Sequence, residues 1–295
     1  MRYFLLFFCC CSLMLRAQQK GDAFRKKGML EKAITAYEMT YSTDPENARN
    51  TYNLACAYAL THRVEKAFTY LDRALKKDST LWVLADNDLR ALTSDQRWIA
   101  IEKRQLAKQQ LKNPDYARLL LRVIMKDQAF DYQLDMAKAQ FAKTGEVPHW
   151  YYPIAAQKKK ITTENFMELK KLLKKYGWPR YDQVGKLAAD APLLVINHHP
   201  EDSVRVAYLP MVKKACESEQ GSCLEYAKIY DRILVNQGKE QWYGMQFRYG
   251  SNRQLEPFPV ADPSSVDARR KAIGLEPLAV YLKRKINFKW TIPQE

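Results

Sequence analysis

After its first fifteen residues the chain has no apolar run long enough to cross a membrane, which takes roughly 20 residues. It has no CxxC pair and no zinc-like spacing, so no metal site is expected from its cysteines. The HExxH, GxSxG, P-loop and dinucleotide-binding signatures are absent, which removes support for those reaction classes. No nucleic-acid-binding motif occurs, and no nucleic-acid partner or cofactor is expected. Histidine is scarce, at four in 295 residues. Carboxylates are outnumbered: 33 Asp and Glu stand against 48 Lys and Arg, a formal net charge of +15. That balance suits anionic partners or surfaces, or a solvated basic exterior.

A hydrophobic fraction of 47% is ample for packed cores and argues against disorder, and the length suggests two domains. Residues 1–17 read as a secretory signal. Met1-Arg2 is a short positive start, Phe4 to Leu15 is apolar, and Leu15-Arg16-Ala17 ends on a small residue. Cys9, Cys10 and Cys11 lie inside the apolar run, but Phe7-Phe8 stand where a lipoprotein site wants small residues. Cleavage near Ala17 and export to the periplasm or beyond are therefore expected, with no transmembrane segment in the mature chain. Cys56, Cys216 and Cys223 remain. Cys56 falls inside a helical pattern and reads as a small hydrophobe. Cys216 and Cys223 bracket a polar loop, which an exported protein closes with a disulfide or leaves as two free thiols.

Two stretches match each other at an offset of 34 residues. Gly21, Phe24, Ala33, Tyr37 and Pro45 recur as Ala55, Tyr58, Ala67, Leu71 and Ser79. Small residues where helices would touch, with aromatics or leucines between, resemble the tetratricopeptide repeat. Residues 18–111 would then hold two clear helix pairs and a degenerate closing pair, its first helix over Leu81 to Leu89. The resemblance implies a protein-contact role. The first helices of the pairs would line a groove with Asp22, Arg25 and Lys26 beside Arg49, Tyr52, Asn53 and Cys56. Such a groove suits an acidic peptide or a free carboxylate; a solvated helix face is the plainer reading.

Asn113-Pro114-Asp115 marks the start of a second domain, residues 112–295, because Pro opens a helix well and interrupts one badly. A helical pattern runs from Tyr116 to about Ala142. His149 to Lys160, with Trp150, Tyr151, Tyr152, Pro153 and three lysines, reads as a loop before a helix capped by Thr163. Further helices are expected over Tyr181–Ala189, Ser203–Ser218, Ser222–Gln237, Ser265–Ile273 and Pro277–Lys285. Ala191 to Asn197 is a Pro-kinked helix or a short buried strand. Gln241–Phe247 and Gln254–Val260 read as a β-hairpin. The expected fold is mainly α, a helical-hairpin array followed by a mostly helical domain with a small β-hairpin.

Leu224, Ala227, Asp231 and Leu234 recur at helical steps, so Asp231 shares an apolar stripe and must be paired or strongly hydrogen-bonded. A structural partner such as Arg232, Arg270 or His198 is the plain reading, and a tuned acid or base the sharper one. His198-His199 lacks any metal-ligand spacing, and adjacent histidines of a strand face opposite ways. His198 and Asp231 are thus the catalytic candidates, and Arg232, Gln241, Tyr243, Gln246 and Arg270 the ligand-binding candidates, all expected to line one pocket.

These clusters resemble an uncharacterised bacterial family, domain of unknown function 6624, over roughly Tyr116 to Lys285. The resemblance rests on Asp127-Gln128, Tyr176-Gly177-Trp178-Pro179, Asn197-His198, Tyr208-Leu209-Pro210 and Asp231-Arg232. It continues through Gly238, Gln241, Tyr243-Gly244, Gln246 and Arg270 with Gly274-Leu275. Asn197 stands where the family pattern has Gln, Met245 where it has Thr or Ser, and Asp131 where it often has Arg. The family implies a recurrent polar site and no reaction. Two functions stand: an exported binding or adaptor protein using its repeats for protein contact, or an enzyme or small-ligand receptor built on the second domain.

Overall fold

The computed structural model describes residues 19–292. The expected signal segment, residues 1–17, lies outside them. The chain divides into two compact units, residues 1–110 and 111–295. Both are built from helices, and the one sheet among the described residues has two antiparallel strands.

The first unit opens with a helix over 19–26 (α1), then α2 (Leu30–Thr43), α3 (Ala48–Leu60) and α4 (Val64–Ala74). Asn47 starts α3 by accepting the Asn50 N–H at 3.0 Å, satisfying a donor that the first turn leaves open. Ala33, Tyr37, Ala55, Tyr58, Ala67 and Leu71, the positions of the periodic pattern, are all buried. Gly21 answers to Tyr37: a Cβ on it would stand 2.5 Å from that ring. The segment from Leu81 to Leu89, expected as a helix, forms two 3-10 turns instead, Trp82–Leu84 and Asn87–Leu92. The Asp86 carboxylate takes the Asp88 N–H at 3.0 Å, so a side chain competes with the helical ladder there. Asp95 caps α5 (Gln96–Ala107), which buries Trp98. Lys108 Nζ then donates to the Leu75 carbonyl at 2.8 Å, closing the end of α4.

In the second unit Asn113 caps α6 (Pro114–Asp127), with Pro114 in its first turn. The helical pattern expected to run on to Ala142 breaks into α6 and α7 (Asp131–Thr144), because Phe130 adopts a left-handed conformation at φ 67°. The stretch from His149 to Lys160, expected as a loop, is largely helix: α8 covers Tyr151–Tyr176, so Thr163 lies inside it and caps nothing. Pro153 is tolerated because it falls in the first turn, where N–H groups have no intrahelical partner. Ala155, Ala156, Gln157 and the three lysines are good helix formers and carry the helix onward.

Gly185 divides the segment after α8 into α9 (Tyr181–Val184) and α10 (Lys186–Ala189). Next comes α11 (Ala191–His198), a helix rather than a strand, with Pro192 in its first turn and Leu193, Val195, Ile196 and Asn197 buried. It packs on α6, α8 and α13, so the middle of the unit is a small apolar helix wrapped by longer ones. α12 (Asp202–Glu217) and α13 (Cys223–Asn236) follow, joined by a Cys216–Cys223 disulfide. The hairpin is shorter than its pattern: β1 (Phe247–Tyr249) pairs with β2 (Leu255–Pro257), Arg248 opposite Glu256. Beyond the strands the outer residues meet only in single contacts, the Phe258 N–H donating to the Gln246 carbonyl at 3.1 Å and Gln241 and Val260 forming an isolated bridge. α14 (Val266–Ala272) and α15 (Leu278–Ile286) complete the unit.

Candidate functional site

The seven residues expected in one pocket fall into two groups with different environments. The first is a buried knot around Asp231. Its carboxylate accepts the backbone N–H groups of Trp242 at 2.7 Å, Tyr243 at 3.0 Å and Met245 at 2.9 Å. Burial pushes this carboxyl up to about 6, opposed chiefly by those amide donors. Gln241 folds the same loop: its Oε1 accepts the Gln246 N–H at 2.8 Å and its Nε2 donates to the Phe258 carbonyl at 2.8 Å. Gln246 donates its side-chain amide to the Lys228 carbonyl at 2.9 Å. Arg270, fully buried, donates to the Tyr243 and Glu276 carbonyls and lies over the Tyr281 ring. Asp231, Gln241, Gln246 and Arg270 therefore hold a segment that has no regular structure of its own, and the Tyr243 ring packs edge-on against both Tyr226 and Tyr230.

The second group surrounds a cavity of about 580 Å³. α7 supplies Asp131, Asp135 and Lys138; α8 supplies Tyr151, Lys158, Lys159 and Thr162; the end of α11 supplies His198 and the turn after it Pro200; α13 supplies Arg232. His198 and Arg232 are thus the two sequence candidates that share a pocket. Asp231 is excluded by helix geometry, since neighbouring residues on a helix point about 100° apart.

His198 is positioned by a residue the sequence reading did not select. Its Nδ1 lies 2.6 Å from Asp127 Oδ2 at the end of α6. The Asp127 side chain is 1% exposed and that of His198 is 36% exposed. An ionised carboxylate only accepts, so beside Asp127 a neutral His198 ring places its proton on Nδ1 and its lone pair on Nε2, on the other side of the ring. Lys158 reinforces the arrangement, donating to the Asp127 carbonyl and to Asp131 Oδ1, the latter at 2.8 Å. The signal for Asp127 was present: Leu120, Ile124 and Asp127 recur at steps of four and three, all buried, the pattern that singled out Asp231.

Arg232 is half-buried, and its one hydrogen bond among the described residues runs to the Asn197 carbonyl at 3.0 Å. No carboxylate among them lies within ion-pairing distance of it. Burial, and then the charge of Arg205, push its guanidinium down from the ordinary arginine value. Lys158 pairs with Asp131 and Lys138 with Asp135, so Arg232 and Lys159 leave the cavity with positive charge to spare. His199, the other histidine, points elsewhere: it is buried against Phe166 and accepts the Glu201 N–H at 3.2 Å, which needs its neutral form. Burial, and then the charge of Arg205, lower its pKa. Among the described residues no three His, Cys, Asp or Glu side chains are grouped to hold a metal ion, and no helix is long and apolar enough to cross a membrane.

In the first unit the expected peptide groove is already occupied by the chain's own acids. Arg25 pairs with Asp88 at 2.7 Å, Tyr52 donates to Asp86 at 2.7 Å, and Asn53 and Arg49 reach Asp22 at 2.9 and 3.4 Å. Lys26 is exposed, and Cys56 is buried against Asp86. Beside this network a cleft of about 260 Å³ is lined by Arg49, Tyr52, Lys77 and the half-exposed Trp82.

A model of a family of unknown function, DUF6624, matches residues 114–288, more than half of the sequence, and the chain belongs to that family. No curated protein and no solved structure matches it.

Proposed function

We propose that this family member acts on a small anion in its second unit, with His198 as the proton-accepting base, Asp127 as the residue that orients it and Arg232 as the anchor for negative charge. The observation that carries this reading is the 2.6 Å His198–Asp127 pair on the wall of a cavity whose cations outnumber its carboxylates. A buried carboxylate behind an imidazole fixes its tautomer and steadies the imidazolium formed when Nε2 takes a proton. The test is a screen of the full chain against phosphate, sulfate, malonate and citrate by thermal shift, followed by turnover of chromogenic phosphate and carboxylate esters. An anion that stabilises the wild type but neither His198→Gln nor Arg232→Gln supports the reading. Binding without any turnover would make the unit a receptor.

The first unit supports a second role, protein contact through a tetratricopeptide-type array in an exported protein. Burial of the periodic positions favours it, together with half-exposed apolar side chains such as Met39, Trp82 and Ile99. Arg25 and Asn53 are engaged internally, which favours a contact at the Trp82 cleft, where Arg49 and Tyr52 also form part of the wall. Cross-linking of the full chain in envelope extract tests this: a partner that survives Arg25→Ala but is lost with Trp82→Ala fits, and the reverse does not.

A further inference from the structure

A second groove in the C-terminal unit shares none of the residues that line the His198 cavity. It has a volume of about 510 Å³ and runs between α8, the turn after it and α12. Its apolar surface comes from Met167 and Met211, 50% and 42% exposed, with Leu173, Tyr208 and Trp178. Tyr208 packs edge-on against Phe166 and so fixes α12 to α8 beneath the groove. Lys170, Lys171 and Lys174 line one side, and no carboxylate does. None of the three has an ion-pair partner among the described residues, although several other lysines of the unit do. The indole Nε1–H of Trp178 is buried and donates to nothing among the described residues.

Apolar side chains this exposed, inside a concave site of ligand size, mark a binding surface more than a solvated face. Methionines suit a flexible occupant because their thioethers adapt to irregular shapes. The lysines supply the other half of the description. We infer that this groove binds an anion carrying a single unbranched apolar chain, its head held by Lys170, Lys171 and Lys174 and its chain laid along Met167, Trp178 and Met211. The concave shape favours a single chain over a flat lipid surface. The inference does not depend on the His198 cavity.

The experiment is calorimetry of the full chain with octanoate, decanoate and dodecanoate, each below its micelle concentration, with 1-decanol and phosphatidylglycerol vesicles alongside. Each buried methylene is worth about three- to fourfold in affinity, so each added pair should tighten binding about tenfold. Decanoate should bind about tenfold tighter than decanol at low salt. Lys170→Gln with Lys174→Gln should remove that preference, and Met211→Glu should weaken all three carboxylates tenfold or more, while Arg232→Gln changes neither. Both sets of substitutions lie on exposed side chains and leave the core intact. Equal binding of decanol and decanoate, no dependence on chain length, loss of binding in Arg232→Gln, or binding to vesicles alone would each overturn the inference.

Discussion

His198 Nδ1 and Asp127 Oδ2 stand 2.6 Å apart although 71 residues separate them in the chain. The contact joins the ends of α6 and α11, two helices that bury nearly all their apolar side chains against each other and against α8. The pair is thus held by the unit's core, while its imidazole edge faces the cavity.

Asp127→Asn keeps the shape of the side chain but no longer fixes the Nδ1–H tautomer. If the unit turns over an anion, the rate should fall on the order of 100-fold or more, and His198→Gln should cost about as much. The double variant should be little worse than either single one, because the two residues act as a unit. Additive losses in steady-state kinetics would contradict a coupled pair.

Asp231 answers to a different test. Asp231→Ala leaves three N–H groups of the 242–245 loop, those of Tyr243 and Met245 buried and that of Trp242 part-buried, without their acceptor. Urea denaturation should show a loss of about 3–5 kcal/mol. Anion binding per folded molecule at the His198 cavity should be unchanged, since the knot lies outside it.

The Cys216–Cys223 disulfide closes a short loop between α12 and α13, with a sequence separation of 7. Loop-closure entropy assigns it about 2–3 kcal/mol. Dithiothreitol should therefore lower the melting temperature of the wild type and leave that of Cys216→Ser with Cys223→Ser unmoved. Cys56, buried and unpaired, contributes nothing to this difference.

Asp88 gives the first unit a pH dependence. Burial, and then the Asp86 charge, raise its carboxyl to about 6, with Arg25 opposing. The unfolded value is about 3.9. Between the two the folded state binds more protons than the unfolded one, so this group's contribution is fully present below about pH 4 and is lost as pH rises through about 6. Asp88→Asn should consequently gain stability relative to wild type between pH 4.5 and pH 7 in thermal melts. A relative loss over that range would mean that Arg25 outweighs burial.

Local patterns carried most of the helices and little of the site. Asn47, Asn113 and Ser222 each begin a helix where their side chains predict, because capping depends on a few neighbouring residues. The stripe containing Asp231 was legible for the same reason, and so was the need to satisfy its charge. The break at Phe130 was not, since no Gly or Pro marks it and the apolar period continues across it. Lys158 was hidden because Pro153 and a run of aromatics and lysines read as a loop, whereas Pro153 sits in the first turn of α8. The His198–Asp127 contact is a product of tertiary packing, and no local spacing encodes it.

The most direct measurement is ¹⁵N NMR of the four histidine rings in the full chain, with His198→Gln assigning the resonance. The account predicts that His198 is the tautomer protonated at Nδ1 in wild type, that malonate or phosphate shifts its Nε2 signal, and that Arg232→Gln abolishes the shift. A His198 ring protonated at Nε2, or one that responds to none of these anions in a folded protein, would contradict it.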